Sequence, residues 1–210
     1  MRVESLSGQE KSKTRFIVRF EDDSEIKVSP AQIADFGLYT GRELTDDEYR
    51  QIKDAIELSN AKARAIRILG NRNLSKREIQ KRLMERGSTE AAADEAVQWL
   101  EETGLINDEK YAGSIVEYYT SKGYGPAKVR DELFKRGIQR ETLNEVMSSL
   151  DADETAAFGF IEKKLKGSRE RADISSVTTA LQRRGFSYET ARNAVSRFIA
   201  ETDEPECGIE

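Results

Sequence analysis

Apolar residues recur along this chain with two different periods. In residues 14–29, TRFIVRFEDDSEIKVS, Phe16, Val18 and Phe20 alternate with Ile17, Arg19 and Glu21, and Ile26 and Val28 alternate with charges beyond Asp22-Asp23-Ser24. A period of two on either side of an acidic turn predicts a β-hairpin. Pro30 ends its second strand, and residues 31–36 suit a short helix before Gly37. A lone hairpin is marginal in water, so this one is expected to pack on that short helix or on the longer one that follows.

From residue 46 onward the period is helical. Three segments carry the string Leu-x-x-Arg-Gly: Leu83 to Gly87, Leu133 to Gly137 and Leu181 to Gly185, with the glycines 50 and then 48 residues apart. Four residues before each Leu stands an aliphatic residue (Ile79, Val129, Val177), and four before that a residue that starts helices (Ser75, Gly125, Asp173). Ser and Asp are good N-caps and Gly is acceptable. Ser75 has Glu78 three positions on, the pattern of a capping box. Pro126 follows Gly125 at the first helical position, where its missing N–H costs nothing. Glycine after the last turn ends each helix in the left-handed conformation. Beyond the glycines, Val97 and Leu100, Met147 and Leu150, and Val195 and Phe198 continue at helical spacing. Before each central helix runs another apolar one, carrying Ala65-Ile66-Leu69, then Ala112-Ile115-Val116-Tyr119, then Phe158-Ile161-Leu165.

Each unit is thus helix, short helix, helix, and a period near fifty with helical contents predicts tandem three-helix modules. LTDDEYRQI (44–52) and LINDEKYAG (105–113) echo each other at the module joints, with Asp46 and either Asn107 or Asp108 as candidate N-caps. The first helix is long, from about Asp46 to Leu69, closed by Gly70. The predicted organisation is a β-hairpin segment over 1–45, helical repeats over 46–108, 109–151 and 152–201, and an acidic tail over 202–210 whose acids and Pro205 suggest fraying.

Composition narrows the chemistry. The chain has 210 residues, 35% charged and 37% apolar, and carries a net charge of −5. No apolar run is long enough to cross a bilayer, and the opening residues lack the apolar core of a signal peptide. The single cysteine, Cys207, excludes an internal disulfide, so a reducing, cytoplasmic setting is expected. The chain has no histidine, which removes Ser-His and Cys-His pairs and histidine metal sites. No phosphate-binding loop, dinucleotide fingerprint or calcium loop occurs, and no active site assembles, so an enzyme is not expected.

Charge is unevenly placed. Residues 75–87 hold five bases and two acids and residues 126–137 hold four and two, whereas 88–101 holds four acids and no base. With Ile79 and Leu83 facing inward, Lys76, Arg77, Lys81 and Arg82 fall on the outer arc; on the second central helix Lys128, Arg130, Lys135 and Arg136 flank Val129 and Leu133. Stacked modules could align these into one basic stripe that attracts a polyanion or an acidic protein. The alternative is a set of solvated faces with i, i+4 ion pairs such as Glu78–Arg82 and Asp131–Lys135. Tyr111, Tyr118, Tyr119 and Tyr124 are candidates for base stacking, but small cores account for them more simply, as they do for Trp99.

AKARAIRILGNRNLSKREIQKRLMERG, then AVQWLEETGLINDEKYA, then SKGYGPAKVRDELFKRGI together resemble the RecX family of bacterial recombination regulators. The strings Asn107-Asp108-Glu109-Lys110-Tyr111-Ala112 and Gly123-Tyr124-Gly125-Pro126 carry the resemblance most closely, and it spans about residues 60–200. Residues 1–45 lie outside the minimal family pattern, although some Gram-positive members have a similar extension; Gly70 stands where many members have another small or polar residue. The resemblance implies three tandem three-helix modules in an elongated, curved monomer. It implies binding in the groove of the RecA recombinase filament on DNA, touching the DNA phosphate backbone there. That binding would lower ATP hydrolysis, strand exchange and stimulated repressor cleavage in DNA repair and the SOS response. It implies no catalysis, cofactor or membrane. Lys76, Arg77, Lys81, Arg82, Lys128, Arg130, Lys135 and Arg136 are the expected filament- or DNA-contacting residues, on charge and helix position alone. An autonomous DNA-binding protein and a protein-only helical adaptor remain the competing readings.

Overall fold

The structure is a computed structural model and describes residues 1–8, 15–148, 150, 154–165 and 171–203. Its elements are β1 (Val3–Gly8), β2 (Phe16–Phe20), β3 (Glu25–Val28), α1 (Pro30–Asp35), α2 (Asp46–Leu69), α3 (Lys76–Glu85), α4 (Glu90–Glu102), α5 (Asp108–Ser121), α6 (Pro126–Lys135), α7 (Arg140–Ser148), α8 (Glu154–Leu165), α9 (Arg171–Arg183) and α10 (Tyr188–Asp203). The protein is mainly helical, with a small antiparallel sheet at its N-terminus. It divides into two compact units, residues 1–72 with 79–105, and residues 73–78 with 106–210. Among the described residues no helix is long and apolar enough to cross a membrane.

In the first unit the alternation in residues 16–28 gives the expected hairpin, with Val18 opposite Ile26. Its turn places Asp23 at φ 62°, and the Ser24 N–H donates to the Asp22 carboxylate at 3.1 Å. A third strand, β1, adds to β2 with Leu6 opposite Val18. The sequence reading lacks β1 because VESLSG is mostly polar and largely exposed: only Val3 is buried, so no alternating stripe marks it. The inner face supplies Val3, Val18, Phe20 and Val28 to a core completed by Leu38, Leu44, Ile52 and Ile56. Tyr49 meets Phe20 edge-on with ring centres 5.0 Å apart. Burial against α2 is therefore what stabilises a sheet too small to stand alone.

Helix starts follow from side chains that satisfy otherwise orphaned N–H groups. Ser29 and Gln32 form a capping box at α1, with Pro30 at its first turn. Thr45 and Glu48 do the same for α2. The expected cap Asp46 is the first helical residue instead, because the Thr45 hydroxyl accepts from the Glu48 N–H at 3.2 Å. At α5 the cap is Asn107, whose side chain accepts from the Lys110 N–H at 2.8 Å. Asp173 does not start α9, which begins two residues earlier; it lies in the first turn, where a carboxylate favours the helix dipole.

Each three-helix group encloses its own core. α5–α7 bury Ala112, Ile115, Val129, Leu133, Ile138, Leu143 and Met147, with Tyr111 among them. α8–α10 bury Ile161, Val177, Leu181, Phe186, Val195 and Phe198. α2 and α4 pack along each other, burying Ala61 and Ala65 on one and Ala93, Ala96 and Leu100 on the other. Small residues there bring the two backbones close. Two aromatic expectations need correction. Tyr118 is 58% exposed. Trp99 is only half-buried, with the Lys62 ammonium 5.3 Å from its ring centre. Both rings have one face turned to solvent, where a cation completes the contact. Residues 204–210, including Cys207, lie outside the described residues.

Candidate functional site

The repeated Leu-x-x-Arg-Gly string does more than end a helix. In the second unit each Arg-Gly pair docks on the N-terminus of an earlier central helix. Arg184-Gly185, after α9, meets the start of α6: the Gly125 N–H donates to the Arg184 carbonyl at 2.9 Å and the Ala127 N–H to the Gly185 carbonyl at 3.1 Å. Arg136-Gly137, after α6, meets residues 75–77 in the same way. There the Ser75 hydroxyl donates to the Arg136 carbonyl. The Ser75 N–H is already taken by Glu78, at 3.0 Å, so the hydroxyl does what the N–H of Gly125 does in the other joint. The joint at α6 brings helix-end carbonyls to N-terminal N–H groups and satisfies both sets; at α3 the Ser75 hydroxyl supplies the donor instead.

The approach is close. A Cβ on Gly125 would lie 2.6 Å from the carbonyl carbon and oxygen of Gly185, and one on Gly137 would strike the side chain of Arg77. Gly137 and Gly185 also sit at φ 72° and 93°, in the left-handed region. Glycine is required at both for two reasons, backbone and space.

The arginines of the pairs fold back over aromatic residues. Arg184 donates to the carbonyls of Lys122 (2.9 Å) and Gly123 (3.3 Å), capping the end of α5, and stacks 4.3 Å from the Phe160 ring centre and 5.1 Å from that of Tyr124. Arg136 donates to the Tyr111 hydroxyl at 2.7 Å. Burial, reinforced by the nearby Glu78 carboxylate, raises the Tyr111 phenol above its ordinary value, so it stays a neutral acceptor. The Lys76 N–H donates to buried Asp108 at 3.0 Å, which fixes the α5 start against the same joint.

The eight expected contact cations fall into distinct settings. Arg77 and Arg130 are exposed; Arg130 reaches Asn144 at 3.5 Å. Lys81 is exposed and lies 3.9 Å from Glu85, while Lys76 and Arg82 are half-buried. Lys128 and Lys135 are brought together by two carboxylates: Lys128 pairs with Glu132 at 2.8 Å and Lys135 with Asp131 at 2.7 Å. The hydrogen bond from Lys128 holds the Glu132 carboxyl below its ordinary value. Arg136 is turned inward to Tyr111, away from the outer arc, because its backbone is committed to the joint. Sequence reasoning missed the docking role of the Arg-Gly pairs, although the identical string at three places was its signal. It also missed Phe134, which is 72% exposed on α6. Among the described residues no cluster of acids or cysteine suits a metal ion.

Tandem three-helix modules, joined helix end to helix start and carrying cations on their central helices, define a helical-repeat protein. Two family models match in tandem: the first three-helix domain of RecX over residues 61–100 and the second over 107–147. The regulatory protein RecX of Caldanaerobacter subterraneus subsp. tengcongensis is 29% identical over 163 residues, covering 76% of this chain and 81% of that protein. The Bacillus subtilis protein of the same name is 26% identical over 208 residues, covering 96% of this chain and 79% of its own. A crystal structure of regulatory protein RecX superposes with a TM-score of 0.69 at 21% identity, over 93% of this chain and 98% of that one. RecX from Lactobacillus salivarius gives 0.63 at 20%, over 70% of this chain and 99% of its own. These matches support the resemblance to the RecX family of regulatory proteins that the sequence motifs carry.

Proposed function

We propose that this protein binds the RecA recombinase filament assembled on DNA and lowers its ATP hydrolysis, strand exchange and coprotease stimulation. The observation that carries this reading is the tandem match to the first and second RecX three-helix domains. Exposed Arg77, Lys81, Arg130 and Lys135 are offered to filament phosphate or an acidic protein surface, and Lys76, Arg82 and Lys128 are half-buried. The Lys135–Asp131 pair is exposed and exchangeable at little cost, since exposed pairs are worth under about 1 kcal/mol, whereas Lys128 is held more firmly by half-buried Glu132. Arg136 acts through the joint. A chain of net charge −5 binds bare DNA weakly, so the recombinase supplies much of the affinity. In this reading the protein works in the cytoplasm as a monomer and catalyses nothing itself.

The test is ATP hydrolysis by a cognate RecA on single-stranded DNA, titrated with this protein, beside its binding to the same DNA alone. Hydrolysis is expected to fall at protein amounts well below the recombinase, with weak binding to bare DNA. Reversing Lys76, Arg77, Lys81 and Arg82 to glutamate is expected to weaken this at least tenfold. Tight, steeply salt-dependent binding to duplex without recombinase would instead favour an autonomous DNA-binding protein. No effect on hydrolysis and no co-sedimentation with the filament would overturn the proposal.

A further inference from the structure

Of the tyrosines in α5 and the turn after it, the core accounts for Tyr111 and Tyr119. Tyr111 is buried among α5–α7, and Tyr119 packs against that core. Tyr118 and Tyr124 belong to neither core of the second unit. Tyr118 is 58% exposed and Tyr124 is half-buried. Burial therefore explains two of the rings and leaves two at the surface.

These two rings stand in a row with cations. The Lys122 ammonium lies 5.9 Å from the Tyr118 ring centre. Tyr118 meets Tyr119 with centres 5.3 Å apart, and Tyr119 meets Tyr124 at 5.5 Å, both edge-on. Arg184 closes the row between Tyr124 and Phe160, at 5.1 and 4.3 Å. Every member is at least partly exposed. The backbone pins Tyr124: its N–H donates to the Tyr119 carbonyl at 3.0 Å, and that of Gly125 to the Arg184 carbonyl at 2.9 Å. Carboxylates adjoin the row as well. Glu132, beside the Tyr119 hydroxyl, is bound by Lys128 at 2.8 Å. Glu117 lies about 100° round the helix from Tyr118. The helix neighbours of Tyr118, three and four residues away, are Ser114, Ile115, Ser121 and Lys122, with no acid among them. Lys122 pairs with no carboxylate among the described residues.

We propose that this row is a stacking site for single-stranded DNA. One base lies on the exposed Tyr118 ring, the adjoining phosphate meets Lys122, and Tyr124 beside Arg184 is the next place along the strand. Rings interleaved with cations suit a single strand, because its bases are free to unstack and every base has a face to offer. A duplex keeps those faces inside and presents its phosphates and base edges. None of the eight expected contact cations belongs to this row, so it adds a contact of a different kind. The choice of DNA rests on the reading above that the protein works on a recombinase filament; the rings themselves specify only a single strand.

The test uses the full chain and an oligo-dT carrying iododeoxyuridine, with no recombinase present. Light joins iodouracil to an aromatic ring stacked on it, and peptide mass mapping finds the ring. Cross-links are expected at Tyr118, and after it at Tyr124. They are not expected at Tyr39 or Tyr188, which are 64% and 61% exposed but lie outside the row. In fluorescence anisotropy at low salt, Tyr118→Leu is expected to weaken binding of the same oligonucleotide about fivefold or more, while Tyr188→Leu matches the parent and all three melt alike. Lys122→Gln is expected to reduce the salt slope by about 0.7, the share of one single-strand phosphate. Cross-links spread evenly over Tyr39, Tyr118 and Tyr188 report exposure alone and overturn the site. Equal affinity of Tyr118→Leu and the parent, or no binding by the parent, overturns it too. Each of these failures leaves the filament reading to its own hydrolysis test, because no recombinase takes part.

Discussion

Gly125→Ala isolates the close approach at the joint. Gly125 has φ −83° and ψ 170°, an extended conformation that alanine adopts freely, so backbone strain does not enter. The added methyl would lie 2.6 Å from the Gly185 carbonyl carbon and oxygen and from the Phe186 nitrogen, all backbone atoms that cannot rotate aside. Carbon atoms pack best at about 3.5–4.0 Å, so the two segments must part by about 1 Å. That lengthens the Gly125–Arg184 and Ala127–Gly185 hydrogen bonds, now 2.9 and 3.1 Å, beyond useful range. Each is worth about 1 kcal/mol, overpacking costs about 1–3 kcal/mol, and these overlap because parting relieves the clash. A loss of about 3 kcal/mol in the docking of α8–α10 on α6 is expected. Urea denaturation followed by hydrogen exchange reads it. The amides of α9 and α10 should exchange faster, and unfolding should split into two transitions as the last three helices open alone. Gly104→Ala, at φ 71° with nothing nearby, sets the scale for backbone strain alone, about 1 kcal/mol. If Gly125→Ala unfolds in one transition and costs no more than Gly104→Ala, the joint is not the close-packed contact described here.

Two further outcomes follow from the same unit. Tyr111→Phe removes the acceptor of the Arg136 guanidinium and is expected to cost about 1–2 kcal/mol in urea; a double-mutant cycle with Arg136→Met should show coupling of about 1 kcal/mol. Glu132 is held below its ordinary value of 4.5 by Lys128, so its stabilising effect is complete above that pH and is lost as pH falls through the lower folded value. The parent should be more stable than Glu132→Gln at neutral pH, and the gap should close as pH falls through that lowered folded value; a gap that widens in acid contradicts the pairing.

Most of the helical architecture was legible because period and punctuation agreed. Ile79 and Leu83, Val129 and Leu133, and Val177 and Leu181 are all buried where their i, i+4 spacing placed them. Thr45, β1 and the start of α9 were not legible, each for a local reason. A threonine and an aspartate adjoin at α2, and both can cap. The polar strand β1 is held by pairing to β2 and by one buried valine, neither of which leaves a pattern in the sequence. The interaction surface was harder still. Charge counting treated Arg136 like Arg130, because both flank an apolar pair on one helix. Only packing separates them: one guanidinium reaches Asn144 at the surface and the other lies on Tyr111.

The Arg-Gly pair thus has two duties that reinforce each other. Ending a helix leaves carbonyls exposed at its negative pole, and starting one leaves N–H groups exposed at its positive pole. Setting the end of α9 against the start of α6 satisfies both with two hydrogen bonds and aligns opposite poles. The left-handed glycine is what lets the chain turn away at once, so that the neighbouring backbone can come close. Arginine then serves from the same position, because its guanidinium reaches back to cap α5 through Lys122 and Gly123 while lying over the Phe160 ring. Lysine at 184 would keep the charge but lose the flat guanidinium, which bonds both carbonyls through one nitrogen while its face stacks on Phe160. The repeated string therefore encodes how modules attach as well as where each helix stops.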